Sequence, residues 1–389
     1  MPIDNNMFQK NANTSLVARL VWQRKSISRA EIARELGLYR STVTNITSYL
    51  INAGVVREGK LMSSTQQGGR KAVELSINPD FGCVFGFDMQ PSHYRAVILS
   101  ADGTELWRET GSFGVIPIQD MVDKLIERAF EAHKSIGTPV LAFSFAVPGI
   151  VDDSYGSILN SFPFGIKDVD IRSYIHEKYD YPVFIENDAN TSAWLDVLSN
   201  EAWGNAISVF ADYHEELRTA PDIVGIGAGI GLIFSGKVYR GTHNAAGEFK
   251  SVTWKSGMSN QSGLPMEILR STQDDESCLA QWIEDTFKSF IPLVSVIDPE
   301  KIILHGRPFG DKQWVMSVLE ERVSEFLGLM DVFGFTLVFN SVDECVSASG
   351  AAMMCLHNLF SVPELSSSGQ DGKFMWEETI AFLQGQKKK

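Results

Sequence analysis

The sequence predicts an α/β protein in three parts: a winged helix-turn-helix over residues 1–78, a first α/β lobe over 79–185 and a second over 186–362. Three observations lead there. Residues 28–77 carry the caps, turn and hairpin of a winged helix-turn-helix. A strand, turn and strand over 81–99 is echoed over 222–234, as in two related lobes. Charge is divided in the same way. Residues 1–78 hold 11 Lys/Arg against 5 Asp/Glu, in a chain whose net charge is −14. A cationic head on an acidic body suits a chain in which the head alone meets a polyanion.

The head reads first. Residues 14–25 form a helix with Leu16, Val17, Leu20 and Val21 on one face. Ser28 and Glu31 have capping-box spacing, Ile32, Ala33 and Leu36 share a face, and Gly37 sits where a left-handed stop is needed. A second helix starts near Tyr39, buries Val43, Ile46 and Leu50, and leaves Arg40, Ser41, Thr44, Asn45 and Ser48 outside. Side chains of that kind suit phosphates and base edges in a major groove. Tyr39 stands at the cap position, where a serine would satisfy a backbone N–H and strengthen the helix by about 1 kcal/mol. Ala53-Gly54 ends the helix. Strands near 55–57 and 73–77 then flank a polar tip, where Gly68-Gly69 lets backbone approach a duplex and Arg70 and Lys71 supply charge. A helical hairpin used only for protein contacts is the alternative, and the agreement of cap, turn, polar face and basic tip disfavours it.

Asn78-Pro79 marks the exit from the head. Cys83–Phe87 is apolar on both faces, as a central strand would be, and Asp88–Ser92 is its turn. Residues 119–135 form an amphipathic helix, and Val140–Val147 is a buried strand ending in Pro148-Gly149. Val183–Ile185 delivers Glu186-Asn187-Asp188 at a strand's C-terminal end, where open α/β sheets hold ligands. A helix follows from Ala189. Residues 222–234 read as a second strand-turn-strand, closed by Ser235-Gly236-Lys237. Residues 277–291 and 312–329 read as helices, 301–304 as a strand, and 347–356 as a small-residue helix. Pro363–Gly372 is a linker, and 374–384 a last helix returning to the first lobe.

Apolar content of 44% with 21% charged residues is ordinary for a globular chain. Cys83, Cys278, Cys345 and Cys355 lack metal-finger or redox spacing, so buried thiols in a reducing compartment are expected. The polar start Met1–Asn6 predicts no secretory leader, and no apolar run reaches bilayer length. A cytoplasmic protein with no membrane partner is expected.

With these residues in place, the chain resembles the ROK (repressor, open reading frame, kinase) family, and most of all its transcriptional-repressor branch. The likeness runs from Ser15 to about Leu356. It is carried by Ser28–Ala33, Gly68-Gly69-Arg70, Val147–Asp152, Glu186-Asn-Asp-Ala-Asn190 and Val238–Glu248, in that order. The resemblance implies a two-lobed body of the actin and sugar-kinase (ribonuclease H-like) type, with a sugar site between the lobes. It implies that Asn187, Asp188 and Glu248 hold sugar hydroxyls, and that Asp188 is the general-base position of the kinases. The residue types fit, since a carboxylate accepts from two neighbouring hydroxyls and an amide both donates and accepts. Without the resemblance, Asn187-Asp188 reads equally as a helix cap.

The chain departs from the family pattern in three places. The kinases have Asp-x-Gly-Gly-Thr at the first phosphate turn. Here Asp88-Met-Gln-Pro-Ser92 lacks both glycines, and Pro91 has no N–H to offer an anion. A Gly-Gly pair near the adenine site is replaced by His305-Gly306-Arg307. Relatives also carry a histidine and a cysteine-rich zinc loop where this chain has Ser251 and Ser256–Gly263, so no metal is expected. His243 is read as a loop residue. Phe162 replaces a sugar-contacting asparagine, and either it or Phe164 is available to stack on a sugar face, with core packing the plainer role. The expectation is a sugar-responsive DNA-binding regulator, most of all a repressor, with no cofactor and no kinase activity. Its expected partners are double-stranded operator DNA, a sugar or sugar derivative, and a second copy of itself in a homodimer or higher oligomer. An ATP-dependent sugar kinase with a regulatory head is the alternative, favoured by the intact Asp188.

Overall fold

The computed structural model describes residues 5–61, 73–199, 204–214, 224–258, 260–340, 343–361 and 380. The wing tip with Gly68, Gly69, Arg70 and Lys71, the linker 363–372 and the expected helix 374–384 lie outside the described residues, except for residue 380. The head consists of α1 (Asn5–Arg24), β1 (Ile27–Ser28), α2 (Arg29–Leu36), α3 (Arg40–Asn52), β2 (Val56–Leu61) and β3 (Val73–Ile77). Local chemistry sets its corners. The Ser28 hydroxyl accepts from the Glu31 N–H, and the Ser28 N–H donates to the Glu31 carboxylate at 2.9 Å. Gly37 ends α2 in the left-handed region at φ 64°. α1 begins earlier than its apolar stripe, which starts only at Leu16.

The first lobe follows as β4 (Cys83–Met89), β5 (Tyr94–Ser100), β6 (Glu105–Gly111), α4 (Ile118–His133) and β7 (Val140–Val147). A small antiparallel sheet comes next, β8 (Ile150–Asp152), β9 (Ser157–Ser161) and β10 (Ile166–Asp170), then α5 (Ile171–Lys178) and β11 (Val183–Asn187); α6 (Asp188–Leu198) follows and packs mainly on the sheet of the second lobe. The second lobe holds β12 (Ala206–His214), β13 (Gly225–Phe234), β14 (Lys237–Tyr239), α7 (Met266–Ser271), α8 (Glu276–Ile297) and β15 (Lys301–His305). It closes with α9 (Lys312–Arg322), α10 (Ser324–Phe333), β16 (Thr336–Phe339) and α11 (Val346–Leu359).

The two large sheets share one topology. Their orders are β11-β7-β4-β5-β6 and β16-β15-β12-β13-β14. In each, an antiparallel three-strand meander carries two further strands parallel to its first strand. The echo between 81–99 and 222–234 is thus a real internal repeat, but its second copy is misplaced in the sequence reading. Residues 225–234 are one strand, β13, and its hairpin partner is β12. The glycines there answer to packing: a Cβ on Gly229 or Gly231 would lie 2.7 or 2.4 Å from the Cβ of Ala189 or Ala193 on α6. The helix expected over 312–329 breaks at Val323 into α9 and α10, which buries Val323 and sets Phe326 edge-on to Phe287 at 5.0 Å. The expected turn at 88–92 begins later, because Asp88 and Met89 still belong to β4.

α11 packs on α6 and on β4, β5 and β7 of the first sheet, although chain order places it after the second. Gly350 makes this possible, since a Cβ there would sit 1.9 Å from the Thr191 carbonyl oxygen. One apolar core then runs without a break from the head (Val17, Ile32, Val43, Leu50, Leu75) through β4 and β5 to Leu356 and Phe360 at the end of α11. Trp22 of α1 stacks on Phe360 at 5.6 Å.

Candidate functional site

Two surfaces gather the residues singled out in the sequence. The first is the outer face of α3. Val43, Ile46, Thr47 and Leu50 are buried, while Tyr39, Arg40, Ser41, Thr44, Asn45 and Ser48 are exposed, Tyr39 at 84%. Tyr39 occupies the N-cap with no side-chain hydrogen bond to the helix. The inner face is braced: Arg29 donates to the Thr47 hydroxyl at 3.0 Å and pairs with Glu58 at the base of the wing at 2.8 Å. Arg29 is thereby committed to structure, and Arg40 is the cation that α3 presents outward.

The second surface is a cleft of about 660 Å³ between the lobes, lined among others by Gln90, Asn160, Phe162, Asn187, Asp188, Asp212 and Glu248. β11 delivers Asn187 and Asp188 to its floor, at the point where α6 starts. Asn187 does cap α6, accepting from the Asn190 N–H at 3.0 Å, and its amide also donates to the Gly149 carbonyl at 2.9 Å. Asp188 accepts from the Ala189 N–H at 2.9 Å and from the Gln90 amide at 3.0 Å. Burial, reinforced by the nearby Asp88 carboxylate, pushes the Asp188 carboxyl up to about 7. Glu248 faces the open cleft yet has protein on most sides, and this enclosure raises its carboxyl too, with Lys250 opposing. Its loop is fixed from below. Arg240 pairs with the buried Glu186 carboxylate and with Asp153, and Gly247, at φ 90°, lies against the Ile230 carbonyl where no Cβ would fit.

A buried ion network closes the inner end of the cleft. The Arg95 guanidinium bridges Asp88 of the first lobe, at 2.8 Å, and Asp212 of the second, at 2.5 Å. His93 and Arg307 reach the same Asp212 at 3.1 and 3.4 Å. Burial works against the Asp212 carboxylate, but the His93 and Arg95 contacts outweigh it and hold it below the usual carboxylate range. Gln90 joins this network to the cleft floor, since its amide donates to both Asp88 and Asp188. Gln90, Arg95 and Asp212 were not singled out in the sequence. The available signal was a charge inside each of two apolar strands, β5 and β12.

The remaining departures have plain local roles. Phe162 is 56% exposed at the cleft, whereas Phe164 packs against the first-lobe core. His305 is buried and paired with Asp196 at 3.0 Å. His243 is an exposed loop residue. Around Ser251 the loop is tied by hydroxyls: Thr253 and Ser262 donate to the buried Asp285 of α8 at 2.7 and 2.6 Å, and Ser251 meets Thr253 at 2.9 Å. No helix among the described residues is long and apolar enough to cross a membrane.

A model of the ROK family matches residues 85–253. Over 351 residues the chain is 27% identical to the xylose repressor of Caldicellulosiruptor bescii, covering 86% of this chain and 82% of that protein. It is 28% identical over 257 residues to the xylose repressor of Bacillus subtilis, covering 65% and 63%, so there it spans under two thirds of the relative. It is 22% identical over 254 residues to the DNA-binding transcriptional dual regulator NagC of Escherichia coli, covering 63% and 58%. In fold it is similar to a crystallised ROK family transcriptional regulator, a homologue of the E. coli MLC protein, with a TM-score of 0.70 at 19% identity over 96% of this chain and 100% of that one. A ROK family glucokinase from Streptomyces griseus, in complex with glucose and AMPPNP, aligns with a TM-score of 0.54 at 17% identity over 70% of this chain and 99% of its own. The family model's match to residues 85–253, the repeated sheet topology and the alignment of head and body make this chain similar to the ROK family, and within it to the transcriptional-repressor branch.

Proposed function

We propose that this chain is a sugar-responsive transcriptional repressor that reads operator DNA with its head and a sugar or sugar derivative with its cleft. The observation that carries this reading is the free polar face of α3, on a head whose core continues into the body that holds the cleft. Arg40, Ser41, Thr44, Asn45 and Ser48, with Tyr39 at their N-terminal end, are the groups for the major groove, and Gly69, Arg70 and Lys71 are those for the wing. Asn187, Asp188 and Glu248 are the ligand groups. A homodimer would hold two such heads roughly 34–36 Å apart, one helical turn of a palindromic site.

Names among the relatives, xylose repressor and N-acetylglucosamine repressor, put those two sugars first to be tried. The test is fluorescence anisotropy of a labelled duplex from upstream of the chain's own gene, with and without each sugar. Binding that weakens steeply with salt, weakens on Arg40→Ala and is relieved by a sugar is the expected result. Failure to bind any such duplex would end the repressor reading.

The kinase alternative finds little support in the geometry. Asp88 is held by Arg95 and Gln90, Pro91 offers no amide, and Gly229 and Gly231 of β13 are closed by α6. Phosphoryl transfer from ATP to a hexose or pentose, abolished by Asp188→Asn, would reinstate it.

A further inference from the structure

We propose that Phe162 is a ligand-binding residue of the cleft, the platform on which one C–H face of a pyranose sugar stacks. The inference rests on the reading of the cleft as a sugar site and adds a contact of a different chemistry to that site.

Phe162 stands apart among the apolar residues that border the cleft. Phe210, Val224, Ile226, Phe249, Leu269 and Trp282 border it too, but each is buried in a packed core. Phe162 is 56% exposed and belongs to none of those cores. A ring left in water forgoes the burial that ordinarily drives a phenylalanine inward. Its neighbour two residues on, Phe164, packs against the first-lobe core, so the same turn sends one ring inward and the other out to the cleft.

The exposed ring is carried on a pinned support. Residues 162–165 are the turn between β9 and β10, whose ends pair at Ser161 and Ile166. The Gly165 N–H closes the turn on the Phe162 carbonyl at 3.1 Å, with Gly165 in the left-handed region at φ 65°. Pro163 stiffens its own backbone and that of Phe162 before it. The Ser161 hydroxyl donates to the Pro148 carbonyl at 2.6 Å, and the next carbonyl, that of Gly149, accepts from the Asn187 amide at 2.9 Å. Gly149 itself lies so close to the Asn160 carbonyl that a Cβ would sit 2.4 Å from it. Phe162 is therefore tied, through Ser161, Pro148 and Gly149, to the cleft floor at Asn187 and Asp188.

That arrangement matches the two-sided chemistry of a sugar ring. A pyranose carries hydroxyls around its rim and C–H bonds on its faces. Asp188 and Glu248 accept from rim hydroxyls, and the Asn187 amide has donor and acceptor capacity beyond its two internal bonds. None of these groups serves a C–H face. The face of an aromatic ring carries the negative end of its quadrupole, which attracts the slightly positive C–H hydrogens, and stacking frees water from both apolar surfaces. A ring already held in place gives this contact with little ordering cost.

The test is isothermal titration calorimetry of the full chain and its Phe162 variants with D-xylose, D-glucose and N-acetylglucosamine. For whichever sugar binds the wild type, Phe162→Ala is expected to weaken affinity roughly tenfold, while Phe162→Tyr and Phe162→Trp stay within about threefold. Phe162→Leu, apolar but without a π-face, should fall with Phe162→Ala. Melting temperatures report folding, and if Phe162→Ala has not folded, the comparison of Phe162→Leu with Phe162→Tyr decides. Undiminished affinity in Phe162→Ala would overturn the inference and leave the sugar reading intact. Phe162→Leu binding as well as Phe162→Tyr would also overturn it, since apolar bulk alone would then suffice. A wild type that binds none of the three sugars would overturn the inference together with the sugar reading on which it rests.

Discussion

Asp188 sits on the cleft floor with one oxygen on the Ala189 amide and the other on the Gln90 amide. Its carboxyl titrates at about 7 because burial and the Asp88 carboxylate disfavour the charged form, and Glu248 is the other acidic group acting on it. The folded value lies above the unfolded one, so folding takes up a proton. Below roughly pH 4 both states are protonated and the group is neutral to stability; the penalty grows as pH rises and is complete above about 7. Two expected outcomes run in opposite directions. Melting temperature, relative to Asp188→Asn, falls as pH is raised from about 5 to 8. Sugar affinity rises over the same interval, since only the ionised carboxyl accepts hydrogen bonds through both oxygens. Titration calorimetry at three pH values checks the second, and an affinity flat with pH would remove Asp188 from the ligand's contacts. Asp188 and Glu248, which line the cleft, were singled out through contiguous motifs of the family resemblance. Gln90 and Arg95 were not: each also reaches the nearby Asp88, but their other partners Asp188 and Asp212 lie 98 and 117 residues away, and the local mark was no more than a charge inside the apolar strand β5.

At the scale of elements, α3 and β13 make separate predictions. The Tyr39 side chain caps nothing and is almost fully exposed, which leaves it free for the DNA contact proposed for it. Tyr39→Ser restores a side-chain cap and should raise stability by roughly 0.5–1 kcal/mol in urea unfolding while weakening operator binding. A variant that binds DNA undiminished would strip Tyr39 of its contact role. In β13, Gly231→Ala sets a methyl 2.4 Å from the Ala193 Cβ and 2.8 Å from the Ala189 carbonyl oxygen. The strand must move off α6, at a cost of about 1–3 kcal/mol read from urea melts. Because Ala189 follows Asp188, sugar affinity should fall as well. The head's elements were legible because a capping box and a left-handed glycine act within one turn of helix. β12 was missed because its apolar run was overshadowed by the glycines of β13, which look like a turn until α6 is seen lying on Gly229 and Gly231. α11 gave no hint of its place, since a helix of small residues buried nearly all round has no preferred face to read.

For the whole molecule, the decisive feature is that head, first lobe and α11 share one core. Asn78 is no loose hinge: its amide donates to the Gly54 carbonyl at 2.9 Å, and its oxygen accepts from the Asp80 N–H. α11 touches both functional ends. At one end the Ser347 hydroxyl donates to the Asp188 carbonyl at 3.1 Å, and Gly350 lies against Thr191. At the other, Phe360 stacks on Trp22 of α1, and His357 lies 5.0 Å from Trp194 of α6. A shift of the α6 N-terminus on ligand binding therefore meets a packed helix that bears directly on the head. Trp22→Ala removes the stack at the head's end and touches neither the cleft nor α3's outer face. The ratio of operator affinities without and with sugar should shrink by roughly 2- to 30-fold, the range that contacts along such a chain carry. Linkage adds a second reading of the same variant: the ratio of the sugar's affinities for the free and the DNA-bound protein must shrink by the same factor. If Trp22→Ala lowers the melting temperature but leaves the ratio untouched, the signal reaches the head by some route other than α11.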